Sequence, residues 1–135
     1  MSRSGYIEVD DMDDQRQMAL WRGQVASAIR GKRGQRLLRD LLAALDAMPV
    51  KRLIAHDLVN DSGEVCALGA LGKVRGMDLS EIEPEDPTEV ASAFDIAEQL
   101  AREIVWWNDD AGSYDESPEK RWTRVRAWVA EQIRS

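Results

Sequence analysis

The sequence predicts an all-α fold, with one domain of five to six helices packed around a core rich in Leu and Trp. Three observations lead to this prediction. Apolar residues recur every three or four positions in several segments, as they do on the buried face of a helix. Two segments begin with Asp or Ser followed by Pro, which is a typical helix start. The chain has 135 residues, the length of one ordinary domain.

The first half of the chain contains two of the predicted helices. Residues 1–12 are polar, acidic and without periodicity, so we expect a flexible acidic tail ahead of a single helical domain over residues 13–135. The apolar spacing predicts one helix over 14–30 and another over 35–47. The glycine-containing segment between them is expected to break the helix, and Pro49 to end the second one.

The middle of the chain is less regular. Residues 53–59 form a short apolar segment that a turn signal follows. This pattern is compatible with one short β-hairpin near residues 53–66. Residues 65–72 predict a short buried helix. Its Gly and Ala residues would allow another helix to approach closely.

The second half predicts three further helices. Asp86 followed by proline starts one that runs to about residue 94, and Asp95 marks a turn. A helix over 96–107 has its apolar residues at helical spacing. An acidic loop comes next, and Ser117 followed by proline starts the last helix.

Residues 87–106 also match the spacing of a helix-turn-helix motif. Ala91 is the small residue at the helix crossing, Asp95 occupies the turn and Ile96 is the buried residue after it. A DNA-binding regulator that uses this segment is therefore the alternative function. The outward residues of its second helix include Glu98 and Glu103 and lie in the most acidic third of the chain, which weakens this alternative because phosphate contacts dominate DNA affinity.

Charge is sorted along the chain. Residues 21–60 contain eight Lys/Arg against three Asp/Glu, and residues 61–119 contain three Lys/Arg against sixteen Asp/Glu. Such sorting polarises the surface and steers charged partners. It favours a binding role, in which acidic residues 78–119 dock on a basic protein surface or mimic a nucleic acid.

Two candidate binding surfaces follow from the charge and the tryptophans. Trp106 is expected to lean outward within an acidic rim and to anchor a partner, since exposed aromatics are common interface hot spots. The predicted partner-binding residues are Trp106, Glu103, Asp109, Asp110, Asp115, Glu116 and Trp128. A basic cluster between the first two helices is a candidate anion or nucleic-acid site formed by Arg30, Lys32, Arg33 and Arg36.

The chain offers little that points to catalysis. Cys66 is its one cysteine and His56 its one histidine, so disulfides and multi-histidine metal sites are not expected. A cysteine hydrolase using these two residues is the weakest hypothesis, because no further catalytic group accompanies them. We expect a non-enzymatic protein with no catalytic residues, metal or cofactor. No signal peptide or membrane span is evident, which predicts a cytoplasmic location.

Two short motifs carry a resemblance. Residues 63–71, Gly-Glu-Val-Cys-Ala-Leu-Gly-Ala-Leu, and the later Trp107-Asn108-Asp109 resemble motifs in a family of small helical phage and prophage proteins of proteobacteria, for which no activity is known. The resemblance implies a phage setting. By analogy with small acidic phage proteins, it implies docking on, or inhibition of, a host nuclease, polymerase or defence complex.

Overall fold

A computed structural model describes residues 3–6 and 12–134. Within these residues the chain forms six α-helices, which confirms the prediction of an all-α, single-domain bundle. A short 3-10 turn, Leu79–Glu81, lies between the third and fourth helices. In chain order the helices are α1 Met12–Arg30, α2 Lys32–Ala47, α3 Ala67–Val74, α4 Pro87–Phe94, α5 Glu98–Asp109 and α6 Pro118–Gln132.

Side-chain caps begin two of the helices where the sequence predicts them. The carboxylate of Asp86 accepts hydrogen bonds from the backbone N–H groups of Thr88 and Glu89 at the start of α4. The hydroxyl of Ser117 accepts one from Lys120 at the start of α6. Each cap satisfies backbone donors that the helix itself leaves free and typically contributes about 1 kcal/mol.

The break between α1 and α2 is shorter than predicted. Only Gly31 lies between the two helices, and α2 already begins at Lys32. Gly34 is part of α2 and faces the backbone of α1, where a Cβ atom would lie 1.9 Å from the carbonyl oxygen of Ala28. This glycine therefore permits close helix packing and does not break the helix.

Helix α5 is the centre of the bundle. It packs against α1, α3, α4 and α6, while α2 packs against α1, α3 and α6. Leu100, Ala101, Ile104 and Val105 of α5 are buried in the core. None of the other residues of this helix is fully exposed, and its most accessible face, which contains Glu98, Gln99, Arg102 and Trp106, is half-buried.

The segment before α3 forms less β-structure than the sequence leaves room for. Val59 and Val65 form an isolated antiparallel bridge, and no strand occurs in the described parts of the chain. On one side the pairing ends because α3 begins at Ala67, two residues beyond the bridge. On the other side His56 adopts a left-handed conformation, with φ of 71°, which ends the extended backbone.

Candidate functional site

The N-terminal segment, residues 3–6, is packed into the fold. The prediction of a flexible tail is therefore wrong for these residues, and residues 1–2 and 7–11 lie outside the described part of the chain. Arg3 is only 5% exposed, and its guanidinium donates two hydrogen bonds of 2.6 Å to the carboxylate of Asp109 on α5. Its third nitrogen lies 4.0 Å from the sulfur of Cys66.

Asp109 is a buried structural carboxylate. Its side chain is inaccessible to solvent, and it also accepts hydrogen bonds from the backbone N–H of His56 at 3.1 Å and from the amide of Asn108 at 2.9 Å. Burial alone would raise its pKa, but the hydrogen bonds and the positive charge of Arg3 hold the pKa below its ordinary value of 3.8. The carboxylate is ionised and fully engaged.

Glu103 is also engaged inside the protein. It is 5% exposed and forms an ion pair with Arg22 of α1. The hydroxyl of Tyr6 donates to Glu103 at 2.9 Å, and the indole N–H of Trp107 donates to it at 3.2 Å. The same hydroxyl accepts a hydrogen bond from Trp21, and burial raises the pKa of Tyr6. The N-terminal segment and α1 thus neutralise this part of α5.

The remaining acidic and aromatic candidates near α6 are largely covered. Glu116 pairs with Arg124 at 2.7 Å and lies 3.6 Å from Arg121, and the hydrogen bond from Arg124 is the main cause of its lowered pKa. Trp128 is buried and stacks on the ring of Trp107, with a centroid distance of 5.2 Å.

The predicted acidic rim around Trp106 is therefore wrong in most of its members. Trp106 itself is half-buried, with its ring 6.4 Å from that of Tyr6, and only Asp110 and Asp115 of the predicted set are exposed. The charge pattern located the carboxylates, but it did not reveal the arginines that fold over them from distant parts of the chain. Four of the predicted partner-binding residues are instead covered by the rest of the protein: Glu103, Asp109, Glu116 and Trp128.

Cys66 occupies a structural position. Its side chain is 1% exposed, caps the N-terminus of α3 and accepts a hydrogen bond from the backbone N–H of Gly69 at 3.4 Å. His56 is exposed and directs its Nδ1 to within 3.8 Å of the carboxylate of Asp109. The sulfur in this conformation has no access to a substrate.

Residues 87–106 form the helix pair that the motif predicts. Asp95 ends α4 in the left-handed conformation with φ of 56°, and Ala91 and Ile96 are buried at the crossing. However, a recognition helix must place one open face in the major groove, whereas the outward face of α5 is half-buried and contains Glu98, which pairs with Arg102 of the same helix. The arrangement thus supports two packed structural helices rather than a DNA reader.

The basic cluster forms a cleft at the corner between α1 and α2. This corner cleft has a volume of about 450 Å³ and is lined by Arg30, Lys32, Gln35, Arg36, Arg39 and Asp40. Three of the four predicted cationic residues line it. The fourth, Arg33, lies 3.6 Å from Asp95 and is not part of the lining. Arg39 is an addition that the sequence analysis missed, although its position three residues after Arg36 places it on the same helix face.

An apolar groove lies between α2 and α3. We call it the α2–α3 groove; its volume is about 490 Å³. Val50 and Val74, which are 61% and 67% exposed, both line it. Its apolar lining consists of Ala44, Ala47, Met48, Pro49, Val50, Val65, Ala70 and Val74.

A second cleft of about 330 Å³ continues the α2–α3 groove. The two share Ala44, Ala47 and Val74, and the continuation is lined by Asp40 and Arg75, which form an ion pair of 3.3 Å. Sequence analysis missed this surface. Its signal was the apolar run around Pro49, which continues past the end of the preceding helix.

Comparisons with protein families, curated proteins and solved structures found no match to this chain. Among the described residues, no three His, Cys, Asp or Glu side chains are grouped so that they could hold a metal ion. None of the helices in residues 12–134 combines the length and apolar character that crossing a membrane requires.

Proposed function

We propose that this protein is a non-enzymatic binding protein that holds an apolar segment of a partner protein in the α2–α3 groove. The observation that carries the proposal is the placement of Val50 and Val74, two of the most exposed large aliphatic side chains, on the same concave apolar surface. Scattered exposed aliphatic residues are ordinary, but apolar residues gathered in a groove are typical of interaction sites.

The shape of the groove favours an amphipathic helix as the bound segment. The groove runs between two helices, and its continuation extends it along α2 past Ala43 and Ala47, one helical turn apart. An amphipathic helix binds such a surface by inserting residues spaced three or four positions apart. Small alanine side chains on the floor leave room for the larger side chains of the partner.

The charges at the rim favour a segment with acidic flanks. Arg52 and Lys73 line the α2–α3 groove, against one carboxylate, Glu64. Glu64 pairs with Arg52 at 3.1 Å, while Lys73 donates to the carbonyl oxygen of Gly63 and to no other group among the described residues. The ammonium of Lys73 is thus available to a partner carboxylate beside the apolar contact.

The resemblance to small phage and prophage proteins makes bacterial host proteins the first partners to test. The test is capture from a host lysate by the immobilised wild-type protein, compared with the variant Val50→Asp/Val74→Asp. Both side chains are exposed, so the variant is expected to fold. Leu20→Asp is the matched control, since Leu20 on α1 is 65% exposed and does not line the groove.

The proposal predicts a protein that the wild type and Leu20→Asp capture and the double variant does not. Losing two buried valines typically removes about 2–4 kcal/mol of binding free energy, a loss of roughly thirtyfold or more. Equal capture by all three proteins would contradict the groove as the binding site.

A second candidate surface is an acidic segment, residues 78–89, which would dock on a basic protein or mimic a nucleic acid. All six of its carboxylate residues are exposed and have no ion-pair partner among the described residues: Asp78, Glu81, Glu83, Glu85, Asp86 and Glu89. Binding through this segment would weaken steeply as salt is raised. Capture that is unchanged between low and high salt would exclude this segment as the binding site and would favour the α2–α3 groove.

A further inference from the structure

We infer that the corner cleft binds the phosphate backbone of a nucleic acid, without reading its sequence. This site is separate from the α2–α3 groove, and the inference does not depend on the proposed function. Its first basis is the state of its cations. Lys32 and Arg36 are exposed and have no ion-pair or hydrogen-bond partner among the described residues. Arg30 contacts only the hydroxyl of Ser27, and Arg39 only the carbonyl oxygen of Arg134.

These unpaired cations contrast with most of the other described arginines. Arg3, Arg22, Arg124 and Arg126 are each bound to a carboxylate elsewhere in the bundle. In the corner cleft four positive charges face a single carboxylate, that of Asp40, which pairs with Arg75 outside the cleft. The charge that remains at this corner is therefore available to an anion from another molecule.

The spacing of the cations fits a repeating anion better than a single one. Lys32, Arg36 and Arg39 lie on one face of α2, and the seven steps from the first to the last span about 10 Å of helix. One strand of a duplex carries one phosphate per about 3.4 Å of the duplex axis, so about 10 Å of axis presents about three phosphates of that strand to this row of three cations. Guanidinium groups also bind phosphate in a bidentate manner, which suits the arginines of the row.

The lining of the cleft indicates which class of polyanion fits. Every described residue that lines it is charged or polar, so it offers neither an aromatic ring for base stacking nor an aliphatic side chain for insertion into a membrane. Contacts to phosphates alone give binding that is independent of sequence. This route to a nucleic acid does not use helix α5.

The test is fluorescence anisotropy with a labelled duplex of 20 base pairs. Four phosphate contacts predict a slope of about −3.6 for the logarithm of the association constant against the logarithm of salt concentration. Raising salt from 50 to 200 mM should then weaken wild-type binding about 150-fold. The variant Lys32→Gln/Arg36→Gln should halve the slope, so that the same change in salt weakens its binding only about 12-fold.

Arg16→Gln is the matched control, because Arg16 is an exposed arginine on α1 about 21 Å along the helix from Arg30. It should keep the wild-type slope. Arg30→Gln provides a second variant of the cleft with a single charge removed, and it should reduce the slope by about 0.9, whether or not the double variant folds.

Two competitors test whether the corner cleft prefers a nucleic acid to other polyanions. Polyglutamate and vesicles of phosphatidylcholine with phosphatidylserine should displace the duplex only at much higher concentrations of negative charge. Displacement by either at equal charge would overturn the assignment to a nucleic acid. Absence of duplex binding at 50 mM salt, or an unchanged slope in the cleft variants, would overturn the site itself.

Discussion

Replacing Arg3 with alanine should destabilise the fold by about 3 kcal/mol. The side chain of Asp109 is inaccessible to solvent, and Arg3 supplies two of the hydrogen bonds that it accepts. Removing one partner of a buried ion pair typically costs about 3–5 kcal/mol, because the other charge remains buried. We expect the lower end of that range, since the His56 N–H and the Asn108 amide continue to donate to the carboxylate.

Urea denaturation followed by circular dichroism measures this cost. With a denaturant slope of about 2 kcal/mol per molar, typical of a domain of this size, the midpoint should fall by about 1.5 M. Arg16→Ala is the control. Arg16 is exposed on α1, and its loss should change the free energy of unfolding by less than about 0.5 kcal/mol.

A double-mutant cycle with Asp109→Asn isolates the interaction between the two side chains. In the Asp109→Asn background, Arg3→Ala should cost about 1 kcal/mol or less, because no ionised carboxylate is left without its partner. A coupling energy of about 2 kcal/mol would then belong to the ion pair. The reasoning is refuted if Arg3→Ala costs the same in both backgrounds, or if it costs less than about 1 kcal/mol in the wild-type chain.

The sequence was sufficient to predict the helices because the residues that start and end a helix are close together in the chain. An Asp or Ser followed by proline fixed the start of α4 and of α6 to the residue, and Asp95 has the left-handed conformation that the turn required. The limits of α2 were less accurate. Gly34 has the composition of a helix breaker, and only the backbone of α1 beside it shows why a glycine occurs within the helix.

The candidate sites were harder to predict because they depend on contacts between distant parts of the chain. Arg3 and Asp109 are 106 positions apart, and nothing near Arg3 in the sequence distinguishes it from a solvated residue of a polar tail. The carboxylates of α5 were expected to form an exposed rim, but Arg3 and Arg22 neutralise them. Counting charges along the chain gives their sum and does not show which of them remain unpaired.

The α2–α3 groove illustrates the same point for apolar residues. Val50 precedes an isolated bridge and Val74 is the last residue of α3, and each alone is an ordinary exposed valine. They become a candidate site only when α3 packs beside the end of α2. Conversely, the basic cluster was predicted from sequence because its members lie within ten residues on one corner of the fold.

Four further measurements test other parts of the structure. Gly23→Ala on α1, where a Cβ meets nothing within 4 Å, should raise the free energy of unfolding by about 1 kcal/mol. Gly34→Ala should lower it by about 2 kcal/mol or more, because its Cβ meets the backbone of α1. Cys66 should react with an aromatic disulfide reagent only after denaturation, and prompt reaction in buffer would contradict its burial. The last measurement concerns pH. The pKa of Asp109 is lowered in the folded protein, so its contribution to stability is present above the ordinary value of 3.8 and is lost as the pH falls through the folded value. Asp109→Asn should therefore be about 3 kcal/mol less stable than wild type at neutral pH, with Arg3 left unpaired, and this difference should shrink in more acidic solution. A difference that stays constant from pH 7 to about pH 3 would show that the ionised carboxylate is not its source.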